Sequence, residues 1–161
     1  MLILQAHPSE NSFNKAILDT ALVSLQQSGI NPTLIRLGKE ELLADTALRK
    51  PSALMLIYPT WWGGYPASLM QCVNEIHQSQ SDLLQDVRSI LSITTHGSSK
   101  FINLLQGEWG RWYTKNRIAK ICDNSVQLKW TSLYKIDRCT NEELKNYLTK
   151  VKSDVTEFLA I

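Results

Sequence analysis

Three short runs of this 161-residue sequence hold the residues able to do chemistry. The first is Ala6-His7-Pro8-Ser9-Glu10-Asn11-Ser12-Phe13-Asn14, with imidazole, hydroxyl and amide groups. The second is Pro59-Thr60-Trp61-Trp62-Gly63-Gly64-Tyr65, and the third is Thr95-His96-Gly97-Ser98-Ser99. In the first run an apolar strand passes through a polar loop into a helix. Such a turn holds anions, because the free N–H groups and positive dipole end of the helix face the loop. Ser12 and Asn14 can add side-chain hydrogen bonds. The second run sets two indole faces beside two glycines, which lets backbone approach a flat ligand closely. The third offers backbone N–H groups and hydroxyls near a glycine. No metal cluster, catalytic triad or P-loop is present in the sequence. Cys72, Cys122 and Cys139 are odd in number and lack metal-type spacing, so they read as reduced thiols of a cytoplasmic protein.

The elements that must position these runs follow from periodicity. Met1–Gln5 reads as a strand. Phe13, Ile17, Leu18, Ala21, Leu22 and Leu25 share one helical face, and Gly29 is the stop. Pro32–Leu37 reads as a strand, and Lys39–Arg49 as a weak helix or a polar connection. Ala53–Tyr58 is continuously apolar, as in a central strand buried on both faces. Pro66 is expected as the first residue of a helix carrying Leu69, Met70, Val73 and Ile76. Arg88–Thr94 reads as a further buried strand. Lys100–Lys120 is partly helical, with interruptions at Gly107 and Gly110. In Val126–Thr131 apolar and polar residues alternate, which predicts an edge strand with one face in solvent. Thr140-Asn141-Glu142-Glu143 is a capping box that opens a last helix with Leu144, Leu148, Val151, Val155, Phe158 and Leu159 inward.

Five strands alternating with helices imply an α/β fold with a doubly wound parallel sheet. In such a sheet all three runs emerge at the carboxyl ends of the strands, where ligands bind. One domain over residues 1–161 is expected from the length, and a chain of this size buries roughly 70% of its unfolded surface without staples. Seventeen basic and fifteen acidic residues leave a net charge of +2, too little to argue for a nucleic-acid partner. No basic segment precedes a long apolar run, so no signal peptide is expected, and no apolar stretch approaches membrane-spanning length.

A phosphate site, an aromatic wall and a donor-rich loop suit a flat, electron-poor ring on a phosphate tail. Flavin mononucleotide fits that description, and the same arrangement admits another nucleotide. Plainer readings stand beside this one. His7 can cap a turn, and Phe13 can be the first core residue of its helix. Trp61 and Trp62 suit a ligand wall or a dimer contact. Thr94 is half strand residue and half site residue, His96 is a site residue or a solvated loop histidine, and Gly97 can serve only a turn. Arg111, Lys115, Arg117 and Lys120, around Trp109, Trp112 and Tyr113, read first as a solvated helix face. The alternative is a docking surface for an NADPH phosphate, a quinone or an acidic partner. Cys72, between Met70 and Val73, reads as inert packing.

The sequence resembles the flavodoxin-like NAD(P)H:quinone oxidoreductases, particularly their small bacterial members. Ala6-His7-Pro8 with Ser12-Phe13-Asn14, Tyr58 to Pro66, and Ser92-Ile93-Thr94-Thr95-His96-Gly97 carry the resemblance. The tail Gln127–Thr140, with Trp130, Leu133-Tyr134 and Asp137-Arg138, extends it. The resemblance implies a flavodoxin-like five-stranded parallel sheet of order 2-1-3-4-5 with helices on both faces. It implies that His7, Ser12, Phe13 and Asn14 hold the flavin phosphate or pyrophosphate. Pro59, Thr60, Trp61 and Trp62 would line the isoalloxazine, with Trp62 nearest the ring, and Thr94, Thr95, His96 and Gly97 would surround its pyrimidine side. The larger members usually carry glycine where His96 stands. Their catalytic tyrosine and histidine have no counterpart here, so no acid–base residue is carried over.

What the resemblance implies is an oxidoreductase that passes a hydride from NAD(P)H through bound FMN to a quinone or similar aromatic acceptor. FAD is the alternative cofactor, since the larger members bind it with additional C-terminal sequence. A homodimer is expected. Two other roles occur among relatives: a flavin-binding regulatory subunit of a potassium-efflux transporter in the membrane, and a flavodoxin-like electron carrier. The second is disfavoured by the charge of +2, since such carriers are strongly acidic.

Overall fold

The computed structural model describes residues 1–9, 11–38 and 50–160. Five parallel strands, β1 (Leu2–Gln5), β2 (Thr33–Arg36), β3 (Ala53–Thr60), β4 (Ser89–His96) and β5 (Gln127–Leu133), form one sheet of order β2-β1-β3-β4-β5. The register aligns Gln5 with Ile57, Thr60 with His96, and Thr95 with Leu133, so the carboxyl ends of β1, β3, β4 and β5 share one edge. The Lys39–Arg49 segment, expected as a weak helix or a polar connection, lies outside the described residues, as does Glu10 of the first run.

Helices cover both faces because side chains alternate along each strand. Ile3, Met55, Ile57, Leu91 and Ile93 point to α1 (Phe13–Gln27) and α5 (Asn141–Leu159). Leu4, Leu54, Leu56, Tyr58 and Ile90 point to α2 (Ala67–Ser79) and to the segment that follows β4. That segment comprises α3 (Lys100–Leu105) and α4 (Trp109–Tyr113). It continues through a π-helical turn, Thr114–Ile118, and a 3₁₀ turn, Ala119–Ile121.

Several boundaries differ from the sequence reading. β3 and β4 each run two residues past their apolar stretches, so Pro59, Thr60, Thr95 and His96 lie in strands and not in loops. Pro59 is tolerated in a central strand for a geometric reason. Ile57 exposes its carbonyl to β1, where it accepts from Ala6 N–H at 2.9 Å. Pro59, two residues on, turns its missing N–H to the same side, where β1 has already ended. Pro66 is the cap before α2 and not its first residue, and its carbonyl accepts from Leu69 and Met70. Gly107 breaks the chain between α3 and α4, at φ 79°, but Gly110 does not interrupt anything. It is buried inside α4 because a Cβ there would lie 3.1 Å from the Tyr58 hydroxyl and 3.4 Å from the Tyr65 ring.

β5 is the edge strand, as expected, and its polar face is in solvent at Gln127 but becomes covered towards Thr131. Thr131 is 1% exposed and donates to Asp154 of α5 at 2.7 Å. Lys129 reaches Glu157 at 2.6 Å and Asp154 at 3.4 Å, and Lys150 pairs with the same Asp154 carboxylate. α5 therefore supplies charged partners for a polar strand face. Burial pushes the Asp154 carboxyl pKa up. The hydrogen bonds from Lys150 and Thr131, with the charges of Lys150 and Lys129, outweigh this and hold it below the ordinary value. Asp154→Ala is expected to cost about 1–3 kcal/mol at pH 7, because a buried hydroxyl and two ammonium groups lose their partner. A depressed native pKa contributes stability above the ordinary carboxylate value that is lost as pH falls through the native one. The gap between wild type and variant in urea denaturation should therefore shrink below about pH 4. A gap unchanged from pH 7 to pH 3 would remove the carboxylate from this role.

Candidate functional site

The first loop is built around Ser9 and Ser12. Ser9 N–H donates to His7 Nδ1 at 3.0 Å, Asn11 N–H donates to Ser9 Oγ at 3.2 Å, and Ser12 Oγ donates to the Ser9 carbonyl at 3.0 Å. Ser12 is the N-cap of α1, and its Oγ accepts from Lys15 N–H at 3.3 Å. Its hydroxyl is thus engaged in ending the helix. Asn14 turns inward, 3% exposed, and donates from Nδ2 to Thr95 Oγ1 at 3.1 Å. What α1 leaves open is backbone: no described residue accepts from the N–H of Phe13 or Asn14. The Phe13 ring packs into the α1–α5 layer, 6.2 Å from the Tyr147 ring.

After β3 the chain reverses in a closed two-residue turn. Trp61 and Gly64 exchange backbone hydrogen bonds of 3.1 and 2.9 Å, and the central residues Trp62 and Gly63 have φ of 52° and 79°. Both are left-handed, the form that a tight reversal between twisted strands requires. Glycine suits that region at position 63. A tryptophan there carries backbone strain, and its indole stands free of the protein, 104% exposed. The Trp61 ring lies 6.4 Å from the His7 ring, edge to face, so the first two loops meet. Gly64 answers a different need: a Cβ there would sit 2.8 Å from the Trp109 ring. A groove of about 580 Å³ runs between this turn and the start of α4, lined by Trp61, Trp62, Tyr65, Met70, Gln106 and Trp109.

At the end of β4, Thr94 and Thr60 share a hydroxyl hydrogen bond of 2.8 Å across the strands, beside Pro59. His96 is not a solvated loop residue: it is 6% exposed. Its ring stacks on Tyr134 at 4.6 Å and 15°, and its Nε2 lies 3.3 Å from Ser132 Oγ. Burial lowers its pKa, against the opposing influence of Asn103 and Glu108, so the ring is neutral at pH 7. Gly97 is exposed, and a Cβ there would meet the Asp137 carboxylate at 3.0 Å. Lys135 N–H donates to the Ser98 carbonyl at 3.1 Å, and Tyr147 donates from its hydroxyl to the Thr94 carbonyl at 3.3 Å.

The fold thus brings the named residues together in pairs: His7 with Trp61, Asn14 with Thr95, and Thr60 with Thr94. Ser132, Tyr134 and Asp137, which cover the third loop, are absent from the sequence-based set of site residues, as are Gln106 and Trp109. Parallel register is the signal that finds the first group. Once β5 pairs with β4, Thr95 opposite Leu133 brings Tyr134 beside His96. The basic cluster takes its plainer reading. Arg111 pairs with Glu108 at 3.3 Å, Arg117 lies over the Tyr113 ring at 5.9 Å, and Lys115 and Lys120 are exposed. Burial, with the charge of Glu75 adding, pushes the Cys72 thiol up to about 12, which leaves no thiolate at neutral pH. Among the described residues no three His, Cys, Asp or Glu side chains are placed to hold a metal, and no helix is long and apolar enough to cross a membrane.

No protein-family model and no curated protein matches the sequence. Solved structures do match. A protein of Streptococcus mutans, Smu.1420, is 24% identical, with a TM-score of 0.72 over 98% of this chain and 100% of that one. An NAD(P)H:quinone oxidoreductase from Methanothermobacter marburgensis is 16% identical, with a TM-score of 0.73 over 96% and 94%. An FMN-dependent NADH-azoreductase from Bacillus anthracis, solved in complex with FMN, is 13% identical, with a TM-score of 0.76 over 97% of each chain. At these identities the likeness is one of architecture, and with the strand order β2-β1-β3-β4-β5 it establishes that this chain has the flavodoxin-like fold.

Proposed function

We propose that this protein is a flavin-dependent NAD(P)H oxidoreductase, a single domain over residues 1–161. It would hold FMN and pass a hydride to a quinone or an azo- or nitro-aromatic acceptor. One observation carries the reading: three unlike kinds of group converge on one sheet edge. They are the open N–H groups of α1, the exposed indoles of the Trp61–Gly64 turn, and buried polar atoms without partners, Asn14 Oδ1 and His96 Nδ1. Orphaned buried polar atoms are costly, and a polar ligand that satisfies them fits the site. The names of the similar structures, an NAD(P)H:quinone oxidoreductase and an FMN-dependent NADH-azoreductase, support the same reading.

When bound, FMN supplies the two-electron carrier between nicotinamide and acceptor. The residues of this chain bind and orient. The N–H groups of Phe13 and Asn14, at the positive end of α1, take the phosphate. The loop built from His7, Ser9 and Ser12 fixes their direction. Pro59, Thr60, Trp61 and Trp62 would form the wall for the ring. Thr94, Thr95, His96 and Gly97 face the pyrimidine edge. Hydrogen-bond donors there would favour negative charge on a bound ring. We place the protein in the cytoplasm as a homodimer. Phe101 and Leu105 of α3, 68% and 72% exposed, lie in an apolar stretch suited to a second copy.

An anaerobic absorbance titration with FMN and then with NADPH or NADH tests the reading. Flavin bands that shift on binding and bleach with the nicotinamide support it. Bound flavin that neither nicotinamide reduces would turn the assignment toward a regulatory subunit or a carrier. Absence of flavin binding would remove it.

A further inference from the structure

The groove between the Trp61–Gly64 turn and α4 is preformed. Its back wall is Trp109, held by Tyr113 at 4.7 Å and Tyr65 at 6.2 Å. Its front wall is Trp62, fully exposed and carried on a left-handed backbone with φ of 52°. Glycine would hold that turn without strain, so the indole serves nothing in the fold that glycine would not serve better. Gln106, the cap residue at the end of α3, closes the third side, and its Oε1 lies 3.0 Å from where a Cβ on Gly63 would stand.

The lining is neutral. Tyr65 is its one titratable residue, and that hydroxyl is bonded to Thr114 Oγ1 in the core, where burial pushes its pKa up. The charged residues flanking Trp109 in the chain, Glu108 and Arg111, pair with each other at 3.3 Å. A charged ligand would lose its water here and gain no partner. The polar side-chain groups left to a ligand are chiefly donors. Three are indole N–H groups, which cannot accept. The fourth is the Gln106 amide, which has no hydrogen-bond partner among the described residues. A volume of about 580 Å³ is that of a small-molecule site.

We propose that this groove is a second ligand site beside the candidate flavin site, that it takes an uncharged aromatic ring bearing carbonyl oxygens, and that the Gln106 amide is the donor that selects it. The indoles of Trp62 and Trp109 supply the stacking faces. In the reading above such a ring is the electron acceptor, a neutral quinone in preference to an anionic azo dye. That assignment alone rests on the flavin reading, because binding in the groove needs no flavin.

The test starts with flavin-free protein. The probes are 2-(hydroxymethyl)anthraquinone, which is neutral, and anthraquinone-2-sulfonate, which has the same ring and a negative charge. The chain has five tryptophans, so each indole N–H signal of ¹⁵N-labelled protein can be assigned from single Trp→Phe variants. The neutral probe should shift the signals of Trp62 and Trp109 and leave those of Trp112 and Trp130 in place. The sulfonate should bind at least about tenfold more weakly. Gln106→Leu should lower affinity for the neutral probe about tenfold, the worth of one hydrogen bond, at an unchanged melting temperature. Trp62→Gly should also weaken binding, while the melting temperature holds or rises. Shifts confined to other indoles, equal affinity for the two probes, or unchanged binding by Gln106→Leu would each overturn the proposal. Saturating FMN then separates the two readings. Affinity for the neutral probe kept within about threefold supports two sites, and displacement by FMN puts the probe in the flavin site and overturns the groove. Absence of FMN binding sinks the flavin reading and leaves the groove to be decided by the flavin-free results.

Discussion

Ser12→Asp is expected to lower FMN affinity by at least about 100-fold, a loss of about 2.7 kcal/mol, without unfolding the protein. Aspartate is as good an N-cap as serine, so the hydrogen bond to Lys15 N–H that opens α1 is kept. What changes is charge. A carboxylate at the cap stands beside the open N–H groups of Phe13 and Asn14, where the phosphate would sit. Two unit charges about 5 Å apart repel by about 3 kcal/mol at an effective dielectric of about 20, and a phosphate carries more than one. Riboflavin, which has the ring and no phosphate, should bind wild type and variant alike. Fluorescence titration with both ligands, alongside a thermal melt, reads the three outcomes. Equal losses for FMN and riboflavin would show that the N-terminus of α1 is not the phosphate site.

Gly64→Ala is expected to destabilise the fold by about 1–3 kcal/mol, the usual cost of forcing one extra carbon into packed space. Gly64 has no left-handed backbone to protect, so the whole effect falls on the contact of a new Cβ with Trp109, at 2.8 Å from Cε3 and 3.2 Å from Cζ3. The indole cannot easily withdraw, because Tyr113 lies 4.7 Å away and Tyr65 6.2 Å away. The displaced ring should also alter the groove beside Trp62, so acceptor KM should rise while FMN affinity holds. A double-mutant cycle with Trp109→Ala isolates the contact: the double variant should be more stable than the sum of the two losses. Strict additivity would mean that the two residues do not press on one another.

Much of this architecture was legible in the sequence because it depends on local rules. Phe13 to Leu25 repeat at helical spacing, and Thr140 with Glu143 form the capping box observed, each side chain bonded to the other's backbone. The apolar runs at 53–58 and 88–94 are central strands of the sheet. The rest depends on neighbours distant in the chain. Thr95 and His96 continue β4 because Pro59 and Thr60 continue β3 beside them. The alternation of 126–131 indicated a strand facing water, yet α5 brings Asp154 and Glu157 over its polar side. Gly110 looked like a helix breaker and is a contact point for Tyr58. The site shows the same division. The residue types of the three loops were readable in order along the chain. That Asn14 would turn to Thr95, that Ser12 would spend its hydroxyl on the cap, and that Tyr134 would lie flat on His96 follow from which strands are adjacent.

The Tyr147 ring touches Phe13 at the start of α1, and its hydroxyl holds the Thr94 carbonyl near the end of β4. One residue of α5 therefore braces the first loop and the third. Neither can loosen far while α5 stays docked, so the two ends of the site belong to one cooperative opening unit. In native-state amide exchange, the bonded amides of Lys15 and Ala16 in the first turn of α1 and the last residues of β4 should share one opening free energy, set by the release of α5. The Trp61–Gly64 turn, which Tyr147 does not reach, should exchange on its own and sooner.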